Sequence, residues 1–265
     1  MTASINSLTN EKVKRLVKLR ESAKTREQDQ LFVVEGLKDL KSIIEFGKNI
    51  KNIYYCTELV EKHGYLGDLD KFKSSNIPLT ELGYAAFTKA SYRKSSDGFI
   101  STVSIWSNSL DKISFKADKL CIVLDETEKP GNLGAIIRTV QAMGVKTILL
   151  SDLEVDFFNP NVIRSSRGLL AGINVGQGSK DEIFSFLKKN EFSMVGTSGQ
   201  AKLSYWNYNF DGKIALIFGS EKEGLGDFWL NRIDDLIQIP MAGNADSLNL
   251  NVSVACILAE YCRKL

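Results

Sequence analysis

Five short, nearly continuous apolar segments punctuate the C-terminal half of the chain: LCIVLDE (120–126), TILLSD (147–152), MVGTSG (194–199), KIALIFGSE (213–221) and LIQIPM (236–241). Strands without polar alternation must be covered on both faces, which is the condition of a parallel sheet sandwiched between helices. The stretches between them predict helices over 133–143, 160–170, 180–190, 225–231 and 248–263. Residues 120–265 are therefore expected to form a parallel-sheet α/β domain.

The N-terminal part alternates differently. Leu8, Val13, Leu16, Val17 and Leu19 predict a helix over 8–23 with Thr9 as its N-cap. A strand at LFVVEG (31–36), a helix at 37–47 closed by a glycine and a strand at NIYYC (52–56) come next. A charged helical stretch near 58–74, IPLTEL, a short helix around 85–89 and the strand FISTVSIW (99–106) complete a small α/β domain over 1–106. The polar segment SNSLDKISFKADK (107–119) reads as the linker, and no internal repeat is visible.

Composition narrows the classes of function. With 43% hydrophobic and 25% charged residues the 265-residue chain is globular, and without an apolar leader or a run near the ~20 residues of a membrane span it is expected in the cytoplasm. Cys56, Cys121, Cys256 and Cys262 show no paired spacing, so neither a metal site nor a disulfide framework is expected. His63 is the only histidine and sits at what reads as a surface helix end, so catalysis has to proceed without imidazole. The net charge of +2 is unevenly placed: residues 1–105 hold 17 Lys and Arg against 13 Asp and Glu. Lys12, Lys14, Arg15, Lys18, Arg20, Lys24 and Arg26 form a basic stripe, either a contact for a phosphate backbone or a solvated helix face.

In parallel sheets ligands bind beyond the carboxyl ends of the strands, and three polar loops fall there: TEKPGNLGAIIRT, GSEKEGLG and MAGNADSLN. Neither dinucleotide nor triphosphate signatures fit, because PGNLGAI lacks the glycine spacing and GSEKEGL has Leu225 where a P-loop needs lysine. In the first loop Asn132 can cap the helix, and Arg138 has Gly134 and Ala135 as small neighbours that leave room for a bulky anion; an Arg solvating the helix is equally compatible. In the second, Gly219 and Gly224 allow close backbone approach or positive φ beside Glu221, which could also be an ordinary helix-start charge. In the third, Ser247-Leu248-Asn249 and Asn251-Val252-Ser253 compete as the polar site, the latter also matching a glycosylation acceptor.

Together the three loops resemble the SpoU (TrmH-like) family of RNA 2'-O-ribose methyltransferases in the SPOUT superfamily, through NLGAIIRT from Asn132, IFGSEKEGLG around Gly219 and Glu221, and IPMAGNADSLN from Ile239. LTNEKVKRLVKLR and LFVVEG resemble the family's ribosomal-protein-like substrate-binding domain. The resemblance implies a deep trefoil knot, S-adenosylmethionine (AdoMet) held by Gly219, Ile239 and Leu248 with Met241 and Thr197 nearby, and a homodimer whose subunits share the site. It implies catalytic roles for Arg138, Asn132, Glu221, Ser247 and Asn249, and no metal. The family's spacing to the glutamate that becomes Glu260 favours Ser247 and Asn249 over Asn251 and Ser253, which fall in the first helical turn.

A sulfonium methyl is already activated, so in-line positioning can supply much of the rate, and Arg138 is expected to position the hydroxyl rather than deprotonate it. Large-subunit 23S rRNA is the expected substrate. The alternatives are a tRNA 2'-O-methyltransferase, a base methyltransferase of the same superfamily, and a non-catalytic RNA-binding or ribosome-assembly factor.

Overall fold

A computed structural model describes residues 4–93, 95–115 and 119–264. The chain divides into two compact units: Met1–Trp106 with Phe157–Gly172, and Ser107–Asp156 with Ile173–Leu265.

The first unit runs α1 (Glu11–Glu21), α2 (Ala23–Asp29), β1 (Leu31–Glu35), α3 (Leu37–Glu45), β2 (Ile50–Tyr55), α4 (Thr57–Lys62), α5 (Leu66–Lys73), β3 (Leu79–Glu81), α6 (Tyr84–Ala90) and β4 (Phe99–Ser104). The sheet order is β1-β4-β2-β3, with β4 antiparallel to both neighbours and β3 parallel to β2. Alternating strand residues feed two cores. Val33, Tyr54 and Ile100 pack with Val13, Leu16 and Leu19 of α1 and Ala86, Phe87 and Ala90 of α6, while Ile53 and Phe99 pack with Leu37 and Leu40 of α3 and Leu69 and Phe72 of α5.

Local chemistry shifts several expected boundaries. Asn10, not Thr9, caps α1 by accepting from the Lys12 N–H at 2.9 Å. The helix ends at Ser22, whose hydroxyl caps a second helix that the polar sequence AKTREQD does not announce. The charged stretch 58–74 breaks into α4 and α5 at Gly64, which takes φ +75°.

The second unit begins with the segment expected to be a linker. Leu110–Lys112 forms a 3-10 turn, Ser109 bridges to Gln177, and Leu110, Ile113 and buried Phe115 join the core; residues 116–118 lie outside the described ones. From there run β5 (Leu120–Asp125), α7 (Pro130–Ala142) and β6 (Thr147–Ser151). Residues 157–172, expected inside the parallel-sheet domain, belong instead to the first unit. They carry α8 (Pro160–Ser166), which packs on β1, and Phe158 lies 4.8 Å from Phe32 and 4.9 Å from Trp106 between ring centroids.

The chain then continues through β7 (Asn174–Gly178), α9 (Lys180–Lys189), β8 (Ser193–Thr197), β9 (Leu203–Ser204), β10 (Ile214–Phe218), α10 (Asp227–Leu230), β11 (Asp235–Gln238) and α11 (Leu250–Lys264). All seven strands are parallel, in the order β7-β6-β5-β10-β8-β11-β9. Cys121, Val123, Leu149, Met194, Ala215 and Ile217 face a core shared with Ile183 and Leu187 of α9 and Trp229 of α10. The alternate residues are buried too, and α7 and α11 pack against each other. No helix among the described residues is long and apolar enough to cross a membrane.

Candidate active site

Strand order reverses between β5 and β10: β6 and β7 lie beyond β5, whereas β8, β11 and β9 lie beyond β10. At such a switch point the loops following the two strands diverge and leave a crevice. Leu124 of β5 pairs in register with Phe218 of β10, so the first two polar loops leave the sheet side by side.

The second loop closes on itself. Ser220 and Gly224 exchange backbone hydrogen bonds at 3.0 Å each, Glu223 N–H reaches the Ser220 hydroxyl at 3.1 Å, and Gly224 takes φ +69°. A Cβ on Gly219 would stand 2.0 Å from the Gly224 carbonyl oxygen. Gly219 is thus a close-approach glycine and Gly224 a positive-φ glycine, the two uses open from sequence.

The closed loop presents Glu221 to the start of α7. Its carboxylate, 11% exposed, accepts from the Lys129 ammonium on one oxygen and from the Asn132 side-chain amide on the other. Lys129, not Asn132, occupies the N-cap position of α7, and Pro130 opens the helix. Asn132 is thereby free to turn its carbonyl oxygen to Asn249, whose amide donates at 3.3 Å. Asn249 in turn caps α11, accepting from the Asn251 N–H at 3.0 Å, and the Thr139 hydroxyl donates to the Asn251 side-chain oxygen at 2.8 Å.

These groups border a cleft of about 730 Å³, within the size range of small-ligand sites. It is lined by Thr197 from the end of β8, Gly219 and Glu221 from the β10 loop, and Ile239, Met241, Ser247, Leu248 and Asn249 after β11. Its walls combine loop backbone with the apolar side chains of Leu225, Met241 and Leu248, a lining suited to a nucleoside carrying a polar tail. Thr197 spends its hydroxyl on the Ile217 carbonyl at 3.1 Å. Residues 241–249 are exposed throughout.

The SpoU rRNA methylase family model matches residues 119–259. The chain belongs to the SpoU rRNA methylase family. It is an AdoMet-dependent RNA 2'-O-methyltransferase. The MRM3-like substrate binding domain matches residues 10–101. A solved RNA 2'-O ribose methyltransferase is 30% identical with a TM-score of 0.85, covering 99% of this chain and all of that one. An AdoMet-bound rRNA methyltransferase from Sinorhizobium meliloti is 26% identical with a TM-score of 0.87, covering 99% and 98%. The 23S rRNA (uridine(2479)-2'-O)-methyltransferase of Streptomyces viridochromogenes is 29% identical over 171 residues, 62% of this chain and 60% of that protein.

In this SpoU chain, nine of the ten catalytic and cofactor candidates line the cleft or, for Asn132, bond to its wall. Arg138 does not: it projects, exposed, from α7 and no described group pairs with it. Asn251 and Ser253 lie in the first turn of α11, and Asn251 is committed to Thr139. His63 is the exposed C-cap of α4, and among the described residues no His, Cys, Asp and Glu group is placed to hold a metal ion. Cys56 and Cys121 are buried, Cys256 is half-buried and Cys262 is exposed.

The basic stripe separates into two kinds of residue. Lys12, Lys14, Arg15, Lys18 and Lys24 are exposed, with Lys14 paired to Glu11 and Arg15 to Asp29. Arg26 is only 3% exposed and donates to the Leu19 and Arg20 carbonyls at the end of α1. Arg20 is half-buried and donates to the Lys89, Ala90 and Ser91 carbonyls at the end of α6. Both arginines are corrections to the stripe, because they cap helix C-termini. Sequence reading also passed over the exposed Arg164, whose guanidinium sits 5.6 Å from the Tyr92 ring centroid in the same unit.

Proposed function

We propose that this SpoU protein methylates the 2'-hydroxyl of a ribose in large-subunit rRNA. The observation that carries this reading is the meeting of Glu221, Asn132 and Asn249, distant in sequence, in one hydrogen-bonded set at the wall of the cleft. In this proposal the backbone at Gly219, Ile239 and Leu248 holds AdoMet, with Met241 and Thr197 beside it, and the sheet carries the family's deep trefoil knot. When bound, AdoMet supplies a methyl group on a sulfonium that needs no further activation. The protein then has to bring the 2'-oxygen into line and shield the cleft from water.

We assign Ser247 and Asn249 to the ribose, Asn132 and Glu221 to fixing Asn249, and Arg138 to clamping the hydroxyl and adjacent phosphate. The guanidinium stays charged and suits an oxyanion better than a proton. Because Arg138 lies off the cleft of its own chain, a homodimer in which it serves the partner's cleft fits the arrangement. Residues 1–106 act as the RNA-binding domain, with Lys12, Lys14, Arg15, Lys18 and Lys24 on phosphates. Preference for rRNA over tRNA is supported by the 23S rRNA relative.

The test is to incubate the protein with methyl-labelled AdoMet and rRNA or tRNA, then hydrolyse in alkali. A ribose methyl blocks attack of the 2'-oxygen on its phosphate, so label in alkali-resistant dinucleotides of rRNA is expected. Label in mononucleotides would point to a base methyl, and label confined to tRNA would overturn the substrate.

A further inference from the structure

Lys129 enters none of the family motifs, yet it is the only lysine pairing with Glu221 among the described residues, and it reaches across 92 positions of sequence. From the bonding directions in this part of the site we infer that Lys129 is a positioning residue, the outer end of a one-way hydrogen-bond relay that orients Asn249.

The direction follows from chemistry at each link. A carboxylate can only accept, and both Glu221 oxygens are occupied, one by the Lys129 ammonium and one by the Asn132 amide nitrogen. Asn132 must therefore turn its oxygen the other way. Asn249 meets that oxygen with its own nitrogen at 3.3 Å, which turns its oxygen, the side chain's acceptor, to the Asn251 N–H at 3.0 Å. No amide in the series can flip without placing oxygen against oxygen or nitrogen against N–H. The relay ends where it matters, because 241–249 is exposed along its whole length and Asn249 joins it to the first turn of α11.

The exposures agree with an outer cation holding an inner anion: the Lys129 side chain is 64% exposed and that of Glu221 11%. With one hydrogen bond to each oxygen, Glu221 anchors Asn132 and is itself held in place by Lys129.

This inference rests on the methyltransferase reading, and a double-mutant cycle separates the two. Lys129→Met, Glu221→Gln and the double variant are compared for single-turnover methyl transfer to RNA, AdoMet affinity by calorimetry and the salt dependence of RNA binding. Lys129→Met is expected to slow transfer roughly 10- to 100-fold, the loss of one charge-assisted hydrogen bond. Lys129→Arg should restore most of it, and in the Glu221→Gln background Lys129→Met should cost no more than about twofold. The salt slope should be unchanged.

Asn249→Asp supplies an independent arm. It keeps the cap on Asn251 but sets an oxygen against Asn132, so it is expected to be at least as damaging as Lys129→Met while the protein still melts cooperatively. Equal losses in both Glu221 backgrounds, a salt slope shallower by about one, or full activity of Lys129→Met would each overturn the relay. Absence of transfer by the wild-type protein on any RNA would instead refute the reading beneath it.

Discussion

Gly219→Ala tests the proposed cofactor cleft most sharply, because the added methyl has a defined collision. Its carbon would lie 2.0 Å from the Gly224 oxygen, 2.1 Å from the Gly224 carbonyl carbon and 2.3 Å from the Leu225 nitrogen, whereas real Cβ atoms stay beyond 3.0 Å. All three are backbone atoms, so the 219–224 loop must open by about 1 Å, giving up the paired Ser220–Gly224 hydrogen bonds. Two backbone bonds at about 1 kcal/mol each, with about 1–3 kcal/mol of overpacking, put the cost of the closed loop at about 3–5 kcal/mol. If AdoMet requires that loop closed, its affinity falls at least about 100-fold, since each 1.4 kcal/mol is a factor of ten. Calorimetric titration with AdoMet is the assay, with circular dichroism to verify the fold. Gly226→Ala is the control: φ is −74° and nothing lies within 4 Å of its added carbon. Gly219→Ala binding within threefold of wild type, or an equal loss in Gly226→Ala, would refute the reasoning.

Three further outcomes are expected. Asp39 is 1% exposed and paired with Arg93, and burial pushes its carboxyl up from 3.8 to about 6. The folded state thus holds this proton more tightly than the unfolded chain, so ionisation costs stability: the cost is absent below about pH 4, grows through the window and is complete above about pH 6. It amounts to on the order of 3 kcal/mol, so the stability difference between wild type and Asp39→Asn should shift against wild type across pH 4 to 6.5; a pH-independent difference refutes this. Arg26→Ala should destabilise the first unit by about 1–3 kcal/mol through lost carbonyl hydrogen bonds and leave the salt slope of RNA binding untouched, whereas Lys12→Glu with Lys18→Glu should weaken RNA binding and flatten that slope by about two. Filter binding across a salt series, with thermal melts, separates them. Arg138→Lys should cost at least about tenfold in transfer with AdoMet affinity intact, since a lysine cannot make the two-pronged contact; near-full activity at saturating RNA would show that charge alone suffices.

Hydrophobic runs such as LCIVLD and IALIF disclosed the parallel sheet because burial on both faces leaves no other solution. Asn174–Gly178 stayed hidden because NVGQG has one β-branched residue and two glycines; its strand character comes from pairing along β6. The segment 107–119 looked like a linker because its apolar residues, Leu110, Ile113 and Phe115, are spaced singly among polar ones, and only the tertiary core shows that they are inward. Residues 157–172 carry no local sign of the unit they join. Charge marked Arg20 and Arg26 as surface residues, but their partners are helix-terminal carbonyls, reached through the fold rather than through spacing. In the site, motifs placed Asn132, Glu221 and Asn249, while Lys129 and the Thr139–Asn251 bond went unseen because each joins positions far apart in sequence.

The central claim, ribose methylation of large-subunit rRNA, is tested most directly by mass spectrometry of nuclease digests of rRNA and tRNA from cells with and without the gene. The expected result is one 2'-O-methylated nucleoside missing from large-subunit rRNA of the deletion strain, restored by the wild-type chain and not by Asn249→Asp. Unchanged ribose methylation in large-subunit rRNA, with a missing base methyl or a change confined to tRNA, would contradict it.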